Sequence, residues 1–340
     1  MNTIDDYEPL SDINIEAISE KLSSLSISHN PINSVKFKNK FDIEKELYKS
    51  PNSSVYLTNF HKRGALKLVF GQTHTSLLEK EFKVLSSLEH PNIIKPFSHE
   101  TGFKHDGTIA SYLFVPYYKN GEMFDYVKDK GGLGEHKSVF YFTQIWSALL
   151  YLHESNIAHR DIKLENIMID DDYNCQLIDL GFWYTGDSNL EYGADSEIIG
   201  SPAYMAPELI LSLKKSLSDS SDNETCEYSK DKLEKYKSGD VFALGVTLFT
   251  MVVGTPPFVQ ATKDDSNYRA FLLSIKKPGS FRFWTRHHKA KEMYANNELS
   301  LEFIALIQNM LHPDPDKRIT INSVMSHPWI IKHMSSKSID

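Results

Sequence analysis

Cysteine and long apolar runs are scarce in this sequence. Its 340 residues contain two cysteines, Cys175 and Cys226, which are far apart and fit neither a disulfide framework nor the ligand spacing of a zinc site. No apolar run approaches the roughly 18 residues that a membrane-spanning helix requires, and the first residues lack the basic-then-apolar order of a secretion signal. These absences predict a soluble protein of a reducing compartment. The expected location is the cytoplasm, and the nucleus is the alternative.

Basic charge is also in short supply. The sequence has 37 Lys and Arg against 45 Asp and Glu, a formal net charge of −8. Surfaces that bind nucleic acid are basic, so this balance argues against nucleic acid as a main partner. Hydrophobic residues make up 41% of the chain, enough to form a real core, and the length predicts about two domains.

The N-terminal extension, residues 1–40, is rich in Ser, Asn and Ile. Ile15, Ile18, Leu22 and Leu25 recur in it at helical spacing. This pattern leaves two interpretations open. The extension is either a short helix that docks a regulatory partner or a mostly disordered segment with one transient helix.

The hydrophobic pattern changes after residue 121. Short β-type runs dominate before it, and helical spacing dominates after it. The predicted strands cover 54–59, 64–70 and 111–115, and the predicted helices cover 75–88, 135–153, 240–253, 299–311 and 321–326. Residues 211–237 are Ser-rich and mixed in charge, which predicts a flexible surface insertion. The sequence therefore predicts a small β-rich lobe followed by a larger helical lobe.

Three motifs follow one another in the second half of the chain. They are HRDIKLEN at 159–166, DLG at 179–181 and APE at 206–208, and GALK at 64–67 precedes them. With these motifs the chain resembles a eukaryotic protein kinase over roughly residues 41–331. The resemblance implies a bilobal α+β fold. Its expected parts are an N-lobe at 41–115, a hinge at 116–121, a C-lobe at 122–331 and a short tail at 332–340.

The resemblance also implies transfer of the γ-phosphate of ATP to Ser or Thr of protein substrates. This reaction needs charge to be neutralised and the attacking oxygen to be held in line. Asp161 would orient the substrate hydroxyl and accept its proton, and Lys163 would neutralise the γ-phosphate. Asn166 and Asp179 would supply the oxygen ligands that Mg²⁺ prefers. Leu180 stands where phenylalanine is commoner and is expected to pack as an apolar residue.

A lysine and a glutamate upstream complete the implied catalytic set. Lys67 would contact the α- and β-phosphates, and a glutamate on the following helix would pair with it. Glu81 is the preferred partner because it places Leu85 one turn later on the apolar face of that helix. Glu79 is the competing choice.

The resemblance assigns the nucleotide pocket to the strands and the hinge. Val115 would be the gatekeeper, the Pro116 carbonyl would accept from adenine, and the Tyr118 amide would donate to it. Glu122 would lie beside the ribose. The apolar residues that would enclose the base are Val55, Ala65 and Met168.

The phosphate-covering loop departs from the family pattern. Tyr48, Ser50 and Ser53 stand where glycines are expected. Glycine allows close approach of the backbone to phosphates, so its replacement predicts a stiffer or more distant loop and weaker ATP binding. A pseudokinase that scaffolds partners without phosphotransfer is therefore the main alternative. A small-molecule kinase is disfavoured by the APE segment and by Ser201.

The activation segment suggests activity without phosphorylation. Arg160 is the arginine that pairs with an activation phosphate in many relatives, and Glu197, with Asp195 nearby, occupies the usual phosphosite. In this respect the chain resembles the calcium/calmodulin-dependent and calcium-dependent kinase group, catalytic domain only. A solvated acidic loop is the other interpretation. Ser201 would bridge the catalytic aspartate and lysine.

The resemblance also implies anchoring and substrate-reading residues. Glu208 would form a buried ion pair with Arg318, and Asp240 would anchor the catalytic loop. Glu122 and Glu165 lie where related kinases read arginines N-terminal to the target residue, so a preference for arginine three residues before it is expected.

Overall fold

The computed structural model describes residues 41–105, 108–186, 201–218, 230–277 and 279–335. The N-terminal extension lies outside the described residues, as do Glu197 and Asp195. In the described part the chain folds into two lobes joined by the segment after residue 116.

The upper lobe is a five-stranded antiparallel sheet in the order β1-β2-β3-β5-β4 with one helix, α1. The strands are β1 Ile43–Lys49, β2 Ser53–Thr58, β3 Gly64–Phe70, β4 Ser98–His105 and β5 Thr108–Pro116, and α1 is Gln72–Ser87. Side chains alternate across a strand. Leu66 and Leu68 are fully buried in the core of the sheet with Phe114, so Ala65 and Lys67 face the opposite side, toward the other lobe.

The lower lobe is mainly helical. Its helices are α2 Met123–Lys130, α3 Gly134–Glu154, α4 Pro207–Ser218, α5 Lys230–Val253, α6 Ser266–Lys276, α7 Ala290–Ala295, α8 Leu301–Met310, α9 Ile321–Val324 and α10 Pro328–Ser335. Two short β-pairs lie at the top of this lobe. Strands β6 Ile157–Ala158 and β9 Tyr184–Thr185 form one pair, and β7 Ile167–Ile169 and β8 Cys175–Leu177 form the other.

Helix α5 is the centre of the lower core. The core surrounds this helix on all sides, because residues on each of its faces are fully buried: Phe242, Leu244, Val246 and Phe249. Its 231–253 stretch is long and apolar enough to cross a membrane, which corrects the expectation that no such run exists. However, 89% of the most apolar part of this stretch is buried inside the protein. That burial is what a core helix of a globular domain requires.

Two sets of hydrogen bonds tie the hinge and the upper lobe to the lower lobe. At the hinge, the Asn120 side chain donates to the Asp170 carbonyl at 2.6 Å and the Ile169 N–H donates to Gly121 at 2.9 Å. In the segment between α1 and β4, the Leu177 N–H donates to the Asn92 carbonyl at 2.8 Å and the Ile94 N–H donates to the Leu177 carbonyl at 3.0 Å. These hydrogen bonds join the two parts of the molecule at two separate places.

The prediction of a flexible insertion at 211–237 is wrong at both of its ends. Residues 211–218 continue α4, and residues 230–237 form the first two turns of α5. Leu233 is 5% exposed and Tyr236 is 8% exposed, so the start of α5 packs against the lobe. The apolar residues are few but spaced at helical intervals, which composition alone did not reveal. Residues 219–229 lie outside the described part.

Candidate active site

Lys67 of β3 lies between two carboxylates. Its Nζ is 2.9 Å from Glu81 Oε2 and 3.6 Å from Asp179 Oδ1. Glu81 lies on the inner face of α1, where only 4% of the residue is exposed. Glu79 is turned outward and pairs with Lys83 at 2.9 Å, so the structure resolves the choice between the two glutamates in favour of Glu81.

Charge pairing in this triad favours the ionised forms of Lys67 and Asp179. Lys67, with the Gly181 N–H, holds the pKa of Asp179 below its ordinary value. Burial alone would lower the pKa of Lys67, but Asp179 and Glu81 together raise it above its ordinary value. Burial raises the pKa of Glu81, and Lys67 opposes that rise. A charged lysine beside a charged aspartate can bind the phosphates of a nucleotide together with a cation.

The catalytic loop lies below this triad, between β6 and β7. Asp161 Oδ2 accepts a hydrogen bond from Asn166 Nδ2 at 2.8 Å and lies 2.7 Å from Lys163 Nζ. Lys163 also donates to Ser201 Oγ at 3.1 Å. Among the described residues, the two side-chain contacts of Asp161 use Oδ2 and not Oδ1. Ser201 thus reaches the catalytic pair through Lys163.

Helix α5 holds the backbone of this loop. The Asp240 carboxylate accepts from the N–H of His159 at 2.8 Å, from the N–H of Arg160 at 2.7 Å and from His153 Nε2 at 3.0 Å. Arg160 has a φ of 70°, a conformation that is costly for a residue with a Cβ. The bonds to Asp240 stabilise it, which is the anchoring expected for this aspartate.

Asp179 also has a left-handed backbone, with a φ of 60°. Its Oδ1 accepts from the Gly181 N–H at 2.9 Å. A Cβ on residue 181 would lie 2.8 Å from that same oxygen, so a side chain there would have to displace the Asp179 carboxylate. Leu180 is 1% exposed in the main core, as expected of an apolar packing residue.

The residues expected to surround the base converge at the cleft. Ala65 pairs with Val115 and Gly64 pairs with Pro116 across β3 and β5, while Val55 pairs with Lys67 across β2 and β3. Met168 forms a β-bridge with Glu122. Tyr118 is half-buried against the main core, in the hinge. The seven residues assigned to the nucleotide pocket lie on β2, β3, β5 and β7, in the hinge, or, in the case of Glu122, just before α2.

The phosphate-covering loop is a tight hairpin held by two serines. The Ser50 N–H donates to the Ser53 carbonyl at 2.8 Å, and the two hydroxyl oxygens are 2.9 Å apart. The Ser53 N–H donates to Ser50 Oγ at 3.2 Å instead of pointing freely into the cleft. A backbone donor that glycine-rich loops offer to phosphates is therefore already occupied.

The residues suited to a divalent cation are Asn166 and Asp179. Asn166 donates through Nδ2 to Asp161, so its amide oxygen is the atom left for a metal, and Asp179 is ionised. In the described part of the chain no group of three or more His, Cys, Asp or Glu could hold a metal. Two oxygen ligands fit Mg²⁺ bound together with nucleotide phosphates and water.

The structure describes three of the residues assigned to the activation segment, Arg160, Ser201 and Glu208. Arg318 donates two hydrogen bonds to Glu208, at 2.7 and 2.9 Å, and its side chain is 1% exposed. This buried bidentate pair fastens the start of α4 to the loop before α9, the structural role expected of it. Arg160 lies against aromatic rings of β9 and α5.

Three acidic residues lie at the mouth of the cleft. Burial and the neighbouring Asp125 and Glu165 raise the pKa of Glu122. Glu165 also accepts a hydrogen bond from the Tyr204 hydroxyl at 3.3 Å. Repulsion between these carboxylates would be relieved by a cationic side chain.

Sequence reasoning missed several residues that shape the site. Among them are His153, which binds Asp240, and Tyr184 and Tyr236, whose rings contact Arg160. One signal was available for Tyr236. Leu233, Tyr236 and Asp240 recur at intervals of three and four, which extends the helical period of α5 backwards into the supposed insertion.

Comparison with known proteins agrees with this geometry. Residues 54–330 match the protein kinase domain family. The chain therefore belongs to the protein kinase family, with its bilobal α+β fold.

Curated proteins similar to this chain are named as kinases. The serine/threonine-protein kinase GIN4 of Saccharomyces cerevisiae is 30% identical over 267 residues, which are 77% of this chain and 20% of GIN4. The maternal embryonic leucine zipper kinase of Danio rerio is 30% identical over 260 residues, 75% of this chain and 32% of that protein. The Aurora kinase of Dictyostelium discoideum is 30% identical over 308 residues, 88% of this chain and 68% of that protein. The chain thus spans a fifth to a third of the first two relatives.

Proposed function

We propose that this protein is an ATP-dependent kinase that phosphorylates Ser or Thr of other proteins. The observation that carries this proposal is the assembled site. Lys67 is paired with Glu81 at 2.9 Å and reaches Asp179, while Asp161, Asn166 and Lys163 are joined by hydrogen bonds below them. A protein that only scaffolds partners has no need of this set in an ordered arrangement.

The chain's own residues account for each requirement of phosphoryl transfer. Lys67 binds phosphate oxygens on the side of the upper lobe, and Lys163 offsets the charge that develops on the transferred group. Asp161 orients the substrate hydroxyl and accepts its proton, because its Oδ1 is not used by Asn166 or Lys163. Mg²⁺, held by Asn166 and Asp179, would neutralise the charge of the β- and γ-phosphates.

The test is phosphotransfer from Mg²⁺–ATP to a basic peptide that contains one serine. Wild-type protein is expected to incorporate phosphate, and Asp161→Asn is expected to lose at least roughly a hundredfold of that rate. If the wild type binds nucleotide but incorporation equals that of Asp161→Asn, the protein is a scaffold and the proposal fails. The Ser50–Ser53 hairpin is the observation that favours this second candidate.

We further propose a preference for arginine three residues before the target. Glu122 and Glu165 support it, since burial and mutual repulsion make this pair of carboxylates receptive to a guanidinium. A positional peptide library is expected to show reduced phosphorylation when that arginine is replaced by alanine. Equal phosphorylation of both peptides would reject the preference.

Activity without phosphorylation of the activation segment is also proposed, as in the calcium-regulated kinase group that the chain resembles. Glu197 would supply the negative charge near Arg160. Protein from bacteria, treated with phosphatase, is expected to be as active as untreated protein. Loss of activity on that treatment would contradict this part of the proposal. A regulatory partner that binds the N-terminal extension, and a cytoplasmic location, belong to the same proposal.

A further inference from the structure

The arginine before the catalytic aspartate rests on two tyrosine rings. The Arg160 guanidinium carbon lies over the Tyr236 ring, 4.2 Å from its centroid, and 5.9 Å from the centroid of Tyr184. The two rings meet edge to face, with centroids 5.0 Å apart and planes at 77°. A guanidinium over the face of a tyrosine is attracted by the negative charge of that face, and the attraction grows when the pair is screened from water.

Both rings are fixed by their own surroundings. Tyr184 lies on β9 and pairs with Ala158 of β6, the strand that leads into the catalytic loop. Tyr236 lies on the second turn of α5, one turn before Asp240. With Ala158 and Leu233 the two tyrosines form a separate small core in which each is less than a tenth exposed. The rings therefore present a rigid surface to Arg160.

The backbone and the side chain of Arg160 are thus held by the same helix. Asp240 of α5 binds the Arg160 N–H at 2.7 Å, and Tyr236 of α5 lies against the guanidinium. The left-handed backbone of Arg160 costs free energy, so a loop without such support would relax and move Asp161, the next residue. In many kinases, a phosphate on the activation segment gives this support.

We propose that Tyr236, with Tyr184, is an aromatic seat that positions Arg160, and through it Asp161, when no phosphate is bound to the activation segment. This inference rests on the proposed function and deepens it. It names the residues that hold Arg160 in place where other kinases use a phosphate on the activation segment. Tyr236 is a positioning residue in this account. It comes from the segment that the sequence predicts as an insertion.

The first test measures kcat and KM for ATP on phosphatase-treated, full-length protein. Tyr236→Phe keeps the ring and is expected to retain kcat within about twofold. Tyr236→Leu keeps apolar bulk but has no ring face, and is expected to lower kcat about fivefold with KM for ATP unchanged. In the Arg160→Ala background, Tyr236→Leu is expected to have no further effect on kcat, because it acts through the arginine.

Three outcomes would overturn the inference. One is a loss of kcat in Tyr236→Phe as large as that in Tyr236→Leu. Another is that Tyr236→Leu lowers kcat by the same factor in the wild type and in the Arg160→Ala background. The third comes from a packing control. Leu233→Ala removes apolar contact from the same small core and is expected to lower the melting temperature while keeping kcat within about twofold; a matching loss of kcat there would mean that packing, and not the ring, is responsible.

A second readout does not depend on activity. The Nε–H proton of Arg160, identified by its disappearance in Arg160→Lys, is expected to resonate upfield of the other arginines because the Tyr236 ring shields it. The shift is expected to persist in Tyr236→Phe and vanish in Tyr236→Leu. An unshifted resonance in the wild type would overturn the seat. A shifted resonance in a protein without phosphotransfer would instead reject the proposed function and leave the seat standing.

Discussion

At the residue scale, burial decides which of two similar side chains has a functional contact. Glu79 and Glu81 lie two positions apart on α1 and therefore point in different directions. The Glu79 side chain is 41% exposed and pairs with Lys83 one turn along the helix, a contact worth only about a few tenths of a kcal/mol. Glu81 is buried and pairs with Lys67, so loss of its charge would leave the lysine without its fixed partner.

Replacement of Glu81 tests this difference with a matched control. Glu81→Gln is expected to lower kcat/KM for ATP by roughly tenfold or more, because a neutral amide no longer holds Lys67 in place. Glu79→Gln changes the same functional group two residues away and is expected to keep kcat/KM within about twofold. Steady-state kinetics with varied ATP measures both. Equal effects would show that the Lys67 pair has no special role.

The serine hairpin gives a second prediction at this scale. Ser50→Gly removes the hydroxyl that now accepts from the Ser53 N–H and frees that donor for a phosphate. We expect KM for ATP to fall about fivefold, which corresponds to about one net hydrogen bond, with kcat little changed. Ser50→Ala removes the hydroxyl but keeps the Cβ, so it separates the freed donor from the flexibility of glycine. An unchanged KM in both variants would mean that the hairpin does not limit ATP binding.

At the scale of the element, α5 depends on close approach to its neighbours. A Cβ on Gly245 would lie 2.8 Å from Met310 Cβ and 2.9 Å from a methyl group of Leu311, at the contact with α8. A Cβ on Gly239 would meet only the end of the Leu209 side chain, at 2.6 Å. Flexible side-chain ends can move, whereas an atom next to the backbone of another helix cannot move without displacing that helix.

Two glycine replacements on the same helix therefore have different expected results. Gly245→Ala is expected to lower the free energy of unfolding by about 1–3 kcal/mol, because α8 must shift. Gly239→Ala is expected to stay within about 1 kcal/mol of the wild type, because better helix propensity offsets the movement of Leu209. Unfolding in denaturant measures both changes, provided that the dependence of the unfolding free energy on denaturant concentration is the same in each variant as in the wild type. A stable Gly245→Ala protein would show that α5 and α8 can separate at little cost.

The elements that were predictable are those with their own periodic pattern or motif. Strand β3 was predicted with its observed bounds, 64–70, and α3 within one residue at each end. Strands β1 and β4 were missed, because β1 is an edge strand with mostly exposed residues and β4 has no clear alternation. The start of α5 was missed because its buried residues, Leu233 and Tyr236, are separated by charged ones.

The same distinction applies to the site. Motifs carry the identity of Lys67 and Asp161, since these residues have fixed neighbours in sequence. The aromatic contact of Arg160 depends on residues 24 and 76 positions away in the chain, Tyr184 and Tyr236, which only the fold brings together. The closure of the phosphate loop by two hydroxyls likewise depends on hairpin geometry.

At the scale of the whole molecule, a buried histidine makes stability depend on pH. His287 is fully buried, its Nε2 lies 3.0 Å from the Pro256 carbonyl, and its Nδ1 accepts from the Ala290 N–H at 3.1 Å. The two contacts suit a neutral ring with its proton on Nε2. Burial lowers the pKa of His287 to about 4, because the charged ring would lose its contact with water.

The expected result is a loss of stability in acid. An unfolded histidine binds its proton near pH 6.5 and folded His287 only near pH 4, so the unfolded state binds more protons between these values. Stability is fully present above about pH 6.5 and is expected to fall by about 3 kcal/mol by pH 4 through this residue.

His287→Gln isolates this contribution. The variant is expected to be less stable than the wild type at pH 7, by about 1–3 kcal/mol, because one buried hydrogen bond is lost. Its free energy of unfolding should decline less steeply between pH 6.5 and pH 4, since glutamine does not titrate. Unfolding in urea at several pH values gives the two slopes. Identical slopes would show that His287 titrates normally.

The two sets of hydrogen bonds that tie the hinge and the upper lobe to the lower lobe also bear on how the cleft can open. One passes through the hinge beside Asn120, and the other passes through Asn92 and Ile94 against β8. Two fixed points define an axis, so a rigid-body rotation of the upper lobe would take place about that axis. Points near the axis, such as the wall around Val115, travel little. The serine hairpin joins β1 to β2 of the same sheet, so a swing of the upper lobe would carry it with the sheet.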